Sequence, residues 1–364
     1  MLMKVLVLCT TDSMFTNFLI PHINNMQNKG YDVDCACSVT GDFFAILRDE
    51  FKFNMYEIGF ERSPFSLKNI SAFCKLNELV KKKKYDVIFC HEPVGGAMGR
   101  LVGHMNHCKV VYMAHGFHFY KGAPTKMKMF YIVERFLARW TDTLITINRE
   151  DYEASLKFKA KKKVLTNGIG VDTSKFICEP NKNYIRQQLK VSEDDCILLS
   201  VGELITRKNH ESIIRAIKKI NNPYIHYIIA GDGELTEYLH KLVKSLNLVN
   251  QVHLLGYRRD ISKLCNSADI YVMPSLQEGL SVALMEAMSC GKPVIVSKIR
   301  GNVDLIDEGK GGYLVEAKDI DGYAKAIMDL VSNTLLQKSF GDYNREKVKQ
   351  FDIKKVITQI DEII

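Results

Sequence analysis

Short apolar runs alternate along the chain with amphipathic segments of helix length, and this alternation limits the folds that the chain can adopt. Many runs are continuously apolar, rich in β-branched residues and followed by Gly, Pro, Ser or His. Parallel strands have this composition because helices cover both faces of their sheet. The predicted strands are Lys4–Leu8, Val33–Val39, Asn54–Ile58, Val87–His91, Lys109–Ala114, Leu144–Ile147, Lys163–Thr166, Ile197–Val201, Ile225–Ala230, Val252–Leu255, Ile270–Pro274, Pro293–Ser297 and Tyr313–Val315. The repeated βαβ pattern predicts an α/β protein with two doubly wound, Rossmann-like parallel-sheet domains.

The boundary between the two domains is predicted in the stretch Asn167–Pro180, which is polar, contains glycine and lacks a helical period. A chain of 364 residues is long enough for two domains of ordinary size. We predict a first domain over residues 1–168 and a second over residues 169–340. The charged tail, residues 341–364, has the period of a final helix.

Composition excludes several classes of protein. Apolar residues make up 46% of the chain and charged residues 25%, unlike a disordered chain. No run reaches the roughly 18 apolar residues of a membrane-spanning helix, and the first apolar run is predicted as a buried strand rather than a signal peptide. The ten cysteines form no C-x-x-C pair, as in a reduced, intracellular protein. Cys35 and Cys37 are two residues apart in a strand, so we expect both in the core.

Positive charge is concentrated in the first half of the chain. Residues 1–180 contain 25 Lys and Arg against 18 Asp and Glu, whereas residues 181–364 contain 25 against 24. The excess is expected either to meet an anionic surface or to be an ordinary solvated surface. The segment Phe117–Trp140 is basic and aromatic, with a helical period after Pro124. It predicts either a helix at a membrane interface or a core-facing helix with a solvated basic side. No nucleic-acid recognition motif is present, so no nucleic-acid partner is predicted.

Chemistry is expected at the carboxyl ends of the strands, where ligands bind in open α/β sheets. Gly202, Arg207 and Lys208 follow the first strand of the second half. The two cations suit a diphosphate, and the alternative is that both are solvated loop residues. Gly231 and Gly233 follow the next strand, where they allow close approach of a ligand or form a plain tight turn.

Tyr257 follows a third strand, where its ring is placed to stack on a base or close a pocket. The most specific segment comes next, between residues 273 and 293. A strand ends at Pro274, a loop carries Glu278 and Gly279, and a helix is predicted from Ser281 to the Gly291 stop.

The start of this helix predicts an anion site. The free N–H groups near Leu280 and Ser281, together with the helix dipole, attract a phosphate. Glu278 and Glu286 lie on either side of that position in the sequence, and carboxylates accept hydrogen bonds from sugar hydroxyls. Metal is not predicted, because the two D-x-D triplets, at residues 32–34 and 319–321, are expected on the surface and no H-E-x-x-H motif occurs.

These segments resemble the family 4 retaining glycosyltransferases of the GT-B fold. The E-x7-E motif of that family matches Glu278 and Glu286 in SLQEGLSVALMEAMSCGKPVI, and VGELITRKNH, AGDGEL, LLGYRRDI and TNGIGVDTSKF follow its order and spacing. The resemblance is specific over residues 165–316 and looser over 1–164. HEPVGGAMGR and AHGFHFYKGAP are similar to bacterial enzymes that build capsule, exopolysaccharide or glycan chains on a lipid-diphosphate carrier.

The resemblance implies a role for each matching residue. Glu286 would bind the ribose hydroxyls of a nucleotide-sugar donor, and Glu278 would lie beside the donor sugar and its departing diphosphate. Lys208 would bind the diphosphate with help from Arg207, and Leu280 and Ser281 would give it backbone contacts. His115, at the end of a first-domain strand, would contact the donor sugar.

The resemblance also implies an arrangement and a reaction. Residues 1–168 would bind the acceptor, residues 169–340 would bind the donor across a cleft, and the tail 341–364 would cross back to the first domain. The reaction would move a hexosyl or N-acetylhexosaminyl group, with retention and without a metal or other cofactor, from a UDP-linked sugar to a lipid-diphosphate-linked saccharide. The enzyme would be cytoplasmic and would touch the inner face of the plasma membrane through its basic first domain.

Two positions depart from the family pattern. Glu203 stands where the family usually has an arginine, so Arg207 is expected to supply the missing charge. The loop after the first strand, residues 9–14, contains no glycine. The competing hypotheses are a nucleotide-sugar epimerase of the same architecture, which would need an acid–base pair, and a degenerate glycan-binding module, which only Glu203 favours.

Overall fold

The computed structural model describes residues 2–41, 43–179 and 183–364. The chain forms two compact units, of which the first contains residues 1–170 and 353–364 and the second residues 171–352. Each unit is built on one parallel sheet with helices between its strands, as the sequence pattern predicts. None of the helices within the described ranges combines the length and the apolar character that a membrane span requires.

The sheet of the first unit has seven strands in the order β3-β2-β1-β4-β5-β6-β7, and all its pairs are parallel. The strands are β1 (Lys4–Thr11), β2 (Asp32–Ser38), β3 (Asn54–Glu57), β4 (Val87–His91), β5 (Lys109–Ala114), β6 (Thr143–Thr146) and β7 (Lys162–Leu165). The strand order reverses between β1 and β4, which is the position where ligands bind in such sheets.

The helices of the first unit connect these strands. They are α1 (Asp12–Met14), α2 (Ile20–Asn28), α3 (Phe43–Asp49), α4 (Lys68–Lys83), α5 (Pro93–Met105), α6 (Lys128–Leu137) and α7 (Arg149–Ser155). A π-helical turn, Phe15–Leu19, joins α1 to α2, and single 3₁₀ turns flank α6.

The sheet of the second unit has six parallel strands in the order β10-β9-β8-β11-β12-β13. The strands are β8 (Cys196–Val201), β9 (Ile225–Ala230), β10 (Val252–Leu254), β11 (Ile270–Met273), β12 (Val294–Ser297) and β13 (Gly312–Val315). The helices are α8 (Asn183–Leu189), α9 (His210–Ile220), α10 (Thr236–Ser245), α11 (Ile261–Ser267), α12 (Val282–Ser289), α13 (Asn302–Leu305), α14 (Ile320–Val331) and α15 (Thr334–Val348).

Every predicted strand is present, with small differences at the ends. β1 continues to Thr11, three residues beyond the predicted Leu8, because its amides find acceptors beyond the last regular pair. The N-terminal run is therefore a buried strand, and Cys35 and Cys37 are both fully buried, as predicted.

The unit boundaries differ from the predicted ones. The first boundary follows Gly170 rather than residue 168, and the tail that belongs to the first unit begins at Ile353 rather than at residue 341. Residues 341–352 stay with the second unit because α15 is fastened there. The Asn344 amide nitrogen donates to the carbonyls of Lys292 (2.8 Å) and Gly311 (2.7 Å). The last helix, α16 (Ile353–Asp361), is bound within the first unit by Asn25, which donates to Asp361 (2.7 Å).

Glycines on α5 bring this helix close to the first sheet. A Cβ atom at Gly96 would lie 2.3 Å from the ring of Tyr112, so only glycine allows this packing distance. The close approach buries Arg100 completely, with its guanidinium 4.0 Å above the Tyr112 ring. Arg100 donates to Glu134 of α6 at 2.7 and 3.2 Å. This bidentate pair holds one side of α6 against the core.

Candidate active site

Glycine-bearing loops meet at the carboxyl ends of β8, β9 and β10 in the second unit. The Gly202 N–H donates to Ala230 O (3.0 Å), and the Gly231 N–H donates to Gly256 O (2.8 Å). A Cβ atom at Gly231 would lie 1.9 Å from Gly202 O, and one at Gly233 would lie 2.6 Å from Leu204 O. The predicted glycines therefore allow backbone to pack on backbone, and they form a close-packed floor at the ligand edge of the sheet.

Arg207 and Lys208 are not independent solvated cations, because both converge on one carboxylate. They lie in a 3₁₀ turn after β8. Lys208 Nζ donates to Glu278 Oε1 at 2.8 Å, and Arg207 donates to Glu278 Oε2 at 3.2 Å and to Gln277 O at 3.0 Å. The three residues predicted to handle the diphosphate are thus in direct contact.

The charge state of Glu278 follows from this cluster. Burial raises the pKa of this carboxyl, but the nearby charges of Lys208 and Arg207 outweigh burial and hold the pKa below its ordinary value. Glu278 is therefore ionised at neutral pH. Two cations against one carboxylate leave the cluster with a net positive charge, and the Arg207 side chain is 40% exposed. Such a cluster suits an anion with several oxygens.

The predicted helix start is present beside this cluster. Ser281 is the N-cap of α12, and its hydroxyl accepts the Leu284 N–H at 3.3 Å. Within the described ranges, no acceptor takes the backbone N–H of Leu280 or Ser281. Free amides at the positive end of a helix dipole favour an anion, and binding of a phosphate here stays a prediction.

Two residues that sequence reasoning did not assign to the site support its loop. Arg300 is buried, and its Nε donates to Glu278 O at 3.1 Å. Gly301 has φ +82°, and a Cβ atom there would lie 2.2 Å from Gly279 O. The turn after β12 therefore shapes the Glu278–Ser281 loop. The Arg300-Gly301 pair in the turn that follows a predicted strand was the available signal.

Glu286 lies on α12, partly buried and without a partner in the part of the chain that the structure describes. Burial raises its pKa to about 7, and the charge of Lys175 opposes this shift only weakly. A carboxylate with no internal hydrogen bond is poised to accept hydroxyl donors from a ligand. This is the chemistry that the resemblance assigns to Glu286.

Tyr257 and Glu203 lie at the exposed rim of the same edge. Tyr257 follows Gly256 and is 70% exposed, so its ring is accessible to a ligand. Its stacking role stays a prediction. Glu203 is also exposed. Arg207 contacts Glu278 together with Lys208, and its role as a substitute for the missing arginine stays a prediction.

His115 lies at the carboxyl end of β5 in the first unit and is paired with a second histidine. Its Nε2 is 3.0 Å from Nδ1 of His91, which is fully buried at the end of β4. Burial lowers the pKa of His115 to about 4, and the charge of His22 adds to this shift. Both rings are neutral at physiological pH, so one donates to the other. The tautomers of the two rings are therefore coupled, because only one of the two facing nitrogens carries a proton.

Glu92 braces the glycine-free end of β1. Its carboxylate accepts the N–H groups of Thr10 (2.9 Å) and Thr11 (3.2 Å). Its backbone, with φ 61° and ψ 163°, lies in a region that side-chain-bearing residues seldom occupy. Sequence analysis missed both His91 and Glu92, although the tripeptide His-Glu-Pro between a strand and a helix marks this position.

Comparison with known proteins identifies the family. A family model described as "Glycosyl transferase 4-like" matches residues 4–148, and one described as "Glycosyl transferases group 1" matches residues 181–347. A Bacillus subtilis protein named putative glycosyltransferase EpsD is 31% identical over 99% of this chain and 96% of its own length. An Escherichia coli protein named UDP-Gal:alpha-D-GlcNAc-diphosphoundecaprenol alpha-1,3-galactosyltransferase is 30% identical over 93% of this chain and 90% of its own.

Solved structures show the same fold. Anabaena Alr3699/HepE, solved in complex with UDP, superposes with a TM-score of 0.84 at 21% identity over 99% of both chains. Sucrose-phosphate synthase from Thermosynechococcus elongatus gives a TM-score of 0.82 at 18% identity, over 99% of this chain and 98% of its own. With its two parallel-sheet units, its matched motifs and these relatives, the chain belongs to the family 4 type of glycosyltransferases with the GT-B fold.

Proposed function

We propose that this glycosyltransferase moves a hexosyl or N-acetylhexosaminyl group, with retention, from a UDP-sugar to a saccharide carried on a lipid diphosphate. The observation that carries the proposal is the cluster of Lys208, Arg207 and Glu278 beside the free amides that begin α12. A net positive cluster next to a helix N-terminus matches the diphosphate of such a donor. Assembly of surface polysaccharide or glycan is the setting in which we place the reaction.

UDP is the proposed nucleotide because two relatives point to it. The E. coli relative is named for UDP-Gal, and the Anabaena structure contains UDP. In this chain the diphosphate would occupy the cluster, the ribose hydroxyls would donate to Glu286, and Tyr257 would stack on the base. The resemblance alone assigns His115 to the donor sugar.

The proposed reaction needs no enzymatic nucleophile. Glu278 is held by two cations, so it is unsuited to attack an anomeric carbon as the carboxylate of a retaining glycosidase does. In a front-face transfer the acceptor oxygen bonds to the anomeric carbon as the bond to the diphosphate breaks. The acceptor proton passes to the leaving diphosphate oxygen. Lys208, Arg207 and the α12 amides would stabilise the charge that develops on that diphosphate.

The acceptor and the membrane contact are proposed together. The E. coli relative is named for a saccharide on diphosphoundecaprenol, which lies in a membrane. The basic excess of the first half and the exposed apolar residues of α6 favour peripheral contact with an anionic bilayer. We place the enzyme at the inner face of the plasma membrane, where nucleotide sugars and the lipid carrier meet.

We propose further that transfer is independent of metal. The prediction that both D-x-D triplets lie on the surface is wrong for Asp34, which is buried because β2 lies inside the sheet. Three of the aspartates have structural partners. Asp34 accepts the hydroxyl of Tyr85 at 2.6 Å, Asp319 caps α14 at Gly322, and Asp321 pairs with Lys219. Activity that survives excess chelator would agree with this assignment, and activity lost to chelator and restored by a divalent cation would contradict it.

Calorimetry with UDP, GDP and ADP tests the donor site. We expect selective binding of UDP that is lost in Glu286→Ala, with the exposed Glu193→Ala as a matched control in the same unit. Incubation of the preferred nucleotide's sugars with a lipid-diphosphate saccharide then tests transfer. Failure of all three nucleotides to bind would refute the donor site, and UDP-sugar turnover without product on a lipid-diphosphate acceptor would refute the acceptor.

A further inference from the structure

A pocket of about 550 Å³ lies within the first unit, between α6, α7 and the segment after β5. Its volume is typical of small-molecule sites, which range from roughly 300 to 1,000 Å³. Phe119 and the start of α7 belong to segments that follow β5 and β6. The pocket therefore opens at the carboxyl edge of the sheet, the same edge at which His115 lies.

The floor of this pocket is aromatic and held in place. Phe119 contacts Tyr131 edge to face at 5.2 Å and stacks on Phe117 at 4.7 Å. Tyr131 contacts the buried ring of Phe158 at 5.4 Å. Phe117 is buried as well, so the two outer rings rest on a fixed layer. A preformed apolar floor of this kind suits a hydrocarbon ligand.

Three exposed lysines surround the floor. Lys121, Lys128 and Lys157 line the pocket, and none of them forms an ion pair or side-chain hydrogen bond with the residues that the structure describes. Two carboxylates also line it, but the protein's own donors engage them. Glu150 accepts the Lys121 N–H at 2.7 Å, and Asp151 accepts the Phe117 N–H at 3.0 Å. The pocket thus carries three ammonium groups against two carboxylates, and the ammonium groups are the ones without a partner in the described chain. This net positive lining favours an anion with several oxygens.

The apolar floor continues onto the outer face of α6. Because the pair of Arg100 and Glu134 turns one side of α6 inward, the opposite side is left uncovered in this unit. The exposed apolar residues of that side are Met129, Ile132, Val133 and Phe136, with exposed fractions of 42%, 67%, 43% and 46%. Ile132 also lines the pocket, so the pocket and the exposed face share a residue.

We propose that this pocket binds the diphosphate and the adjoining isoprenoid units of the lipid-linked acceptor. The three lysines would hold the diphosphate, the floor of Phe119 and Tyr131 would hold the first isoprenoid units, and the exposed face of α6 would lead the rest of the chain into the bilayer. The proposal rests on the proposed function, which supplies a lipid diphosphate as acceptor. It adds a place for the carrier itself, apart from the saccharide that reacts.

A binding experiment tests the pocket without any transfer reaction. The probes are farnesyl diphosphate, farnesol and inorganic diphosphate, titrated into the full chain at low ionic strength. We expect farnesyl diphosphate to bind at least tenfold more tightly than either part alone, because only it uses both the lysines and the floor. The triple variant Lys121→Ala, Lys128→Ala, Lys157→Ala should lose at least tenfold in this affinity.

The matched control removes the same charge from another exposed surface of the first unit. Lys75→Ala, Lys81→Ala and Lys82→Ala on α4 should leave the affinity within twofold of the wild type. Equal thermal transitions of the two triple variants would show that both are folded. Equal affinity of the pocket variant and the wild type, an equal loss in the control, or farnesyl diphosphate binding no tighter than farnesol would overturn the proposal.

Kinetics separate a failure of the pocket from a failure of the proposed function. With a lipid-diphosphate saccharide, the pocket variant should show a KM for the acceptor at least tenfold higher and an unchanged KM for the UDP-sugar. An unchanged acceptor KM would count against the pocket while leaving the transfer reaction intact. If the wild type transfers to no such acceptor, the proposed function fails, and the binding experiment still decides whether the pocket takes a prenyl diphosphate.

Discussion

The substitution Glu286→Gln is expected to stabilise the protein in alkaline solution. Burial raises the pKa of Glu286 to about 7, from the ordinary value of 4.5 that an unfolded chain would have. The folded state therefore holds a proton over a range of pH in which the unfolded state has lost it. Stability from this group is fully present below the unfolded pKa and is lost as the pH rises through the folded pKa. Glutamine keeps the shape of the neutral acid and has no such loss.

The size of the effect follows from the two pKa values. At 1.36 kcal/mol for each unit of pKa difference, complete titration costs the folded state about 3.4 kcal/mol. About 2.5 kcal/mol of this falls between about pH 5 and about pH 8, because the unfolded group is already largely ionised at pH 5. The wild type should lose this amount relative to Glu286→Gln over that interval. A constant difference between the two proteins, caused by the amide itself, does not change with pH and does not affect the comparison.

Urea unfolding at several pH values measures this difference. The transition that includes the second unit is followed for the wild type, Glu286→Gln and Glu193→Gln, the last being an exposed control in the same unit. The stability gap between Glu286→Gln and the wild type should widen with pH, while the control should run parallel to the wild type. A gap that stays constant to within about 0.5 kcal/mol would refute the assigned environment of Glu286.

Four further outcomes are expected. UDP affinity of the wild type should rise about tenfold between about pH 6 and 8, because ribose hydroxyls need the ionised Glu286, and a flat calorimetric profile would contradict this. Lys208→Ala should lower kcat by about 10²–10³ in a transfer assay, because a donor to the leaving diphosphate is lost. The control Lys219→Ala should leave kcat unchanged. Equal kcat values for Lys208→Ala and the wild type would count against this role. The kcat/KM of the wild type divided by that of His115→Asn should stay constant between about pH 5.5 and 8, because burial lowers the pKa of His115 to about 4. A step in this ratio near pH 6.5 would contradict the assigned burial. Arg100→Met should lower the free energy of unfolding in urea by about 3–5 kcal/mol, because it removes the ion-pair partner of the buried Glu134 carboxylate. Adding Glu134→Met should restore most of this stability. A double variant as unstable as Arg100→Met would disprove this role of the ion pair.

Features that depend on near neighbours in the chain could be predicted from the sequence. Alternating apolar runs place the strands of both sheets, because the periodicity of a buried strand is a local property. Ser281 was recognised as the residue that begins α12, since a cap acts on amides only three residues away. The motif around Glu278 and Glu286 identified the family for the same reason, because its residues are close in sequence.

Contacts between distant residues could not be predicted in this way. Lys208 and Glu278 are 70 positions apart, and whether they meet depends on β8 and β11 lying side by side in the sheet. The tail could not be divided correctly, because its helical period shows where helices occur but not which unit each one packs against.

Burial is the second property that required the tertiary structure. Residues far away in the sequence remove water from Glu286 and from His115. This burial raises the pKa of Glu286 and keeps His115, which contacts His91, neutral. The pocket beside α6 likewise forms from segments that are far apart in the sequence, and the Arg100–Glu134 pair on the inner side of α6 joins residues 34 positions apart. Local patterns set the elements and the chemical groups that they carry, whereas packing sets the charge, the partners and the accessibility of each group.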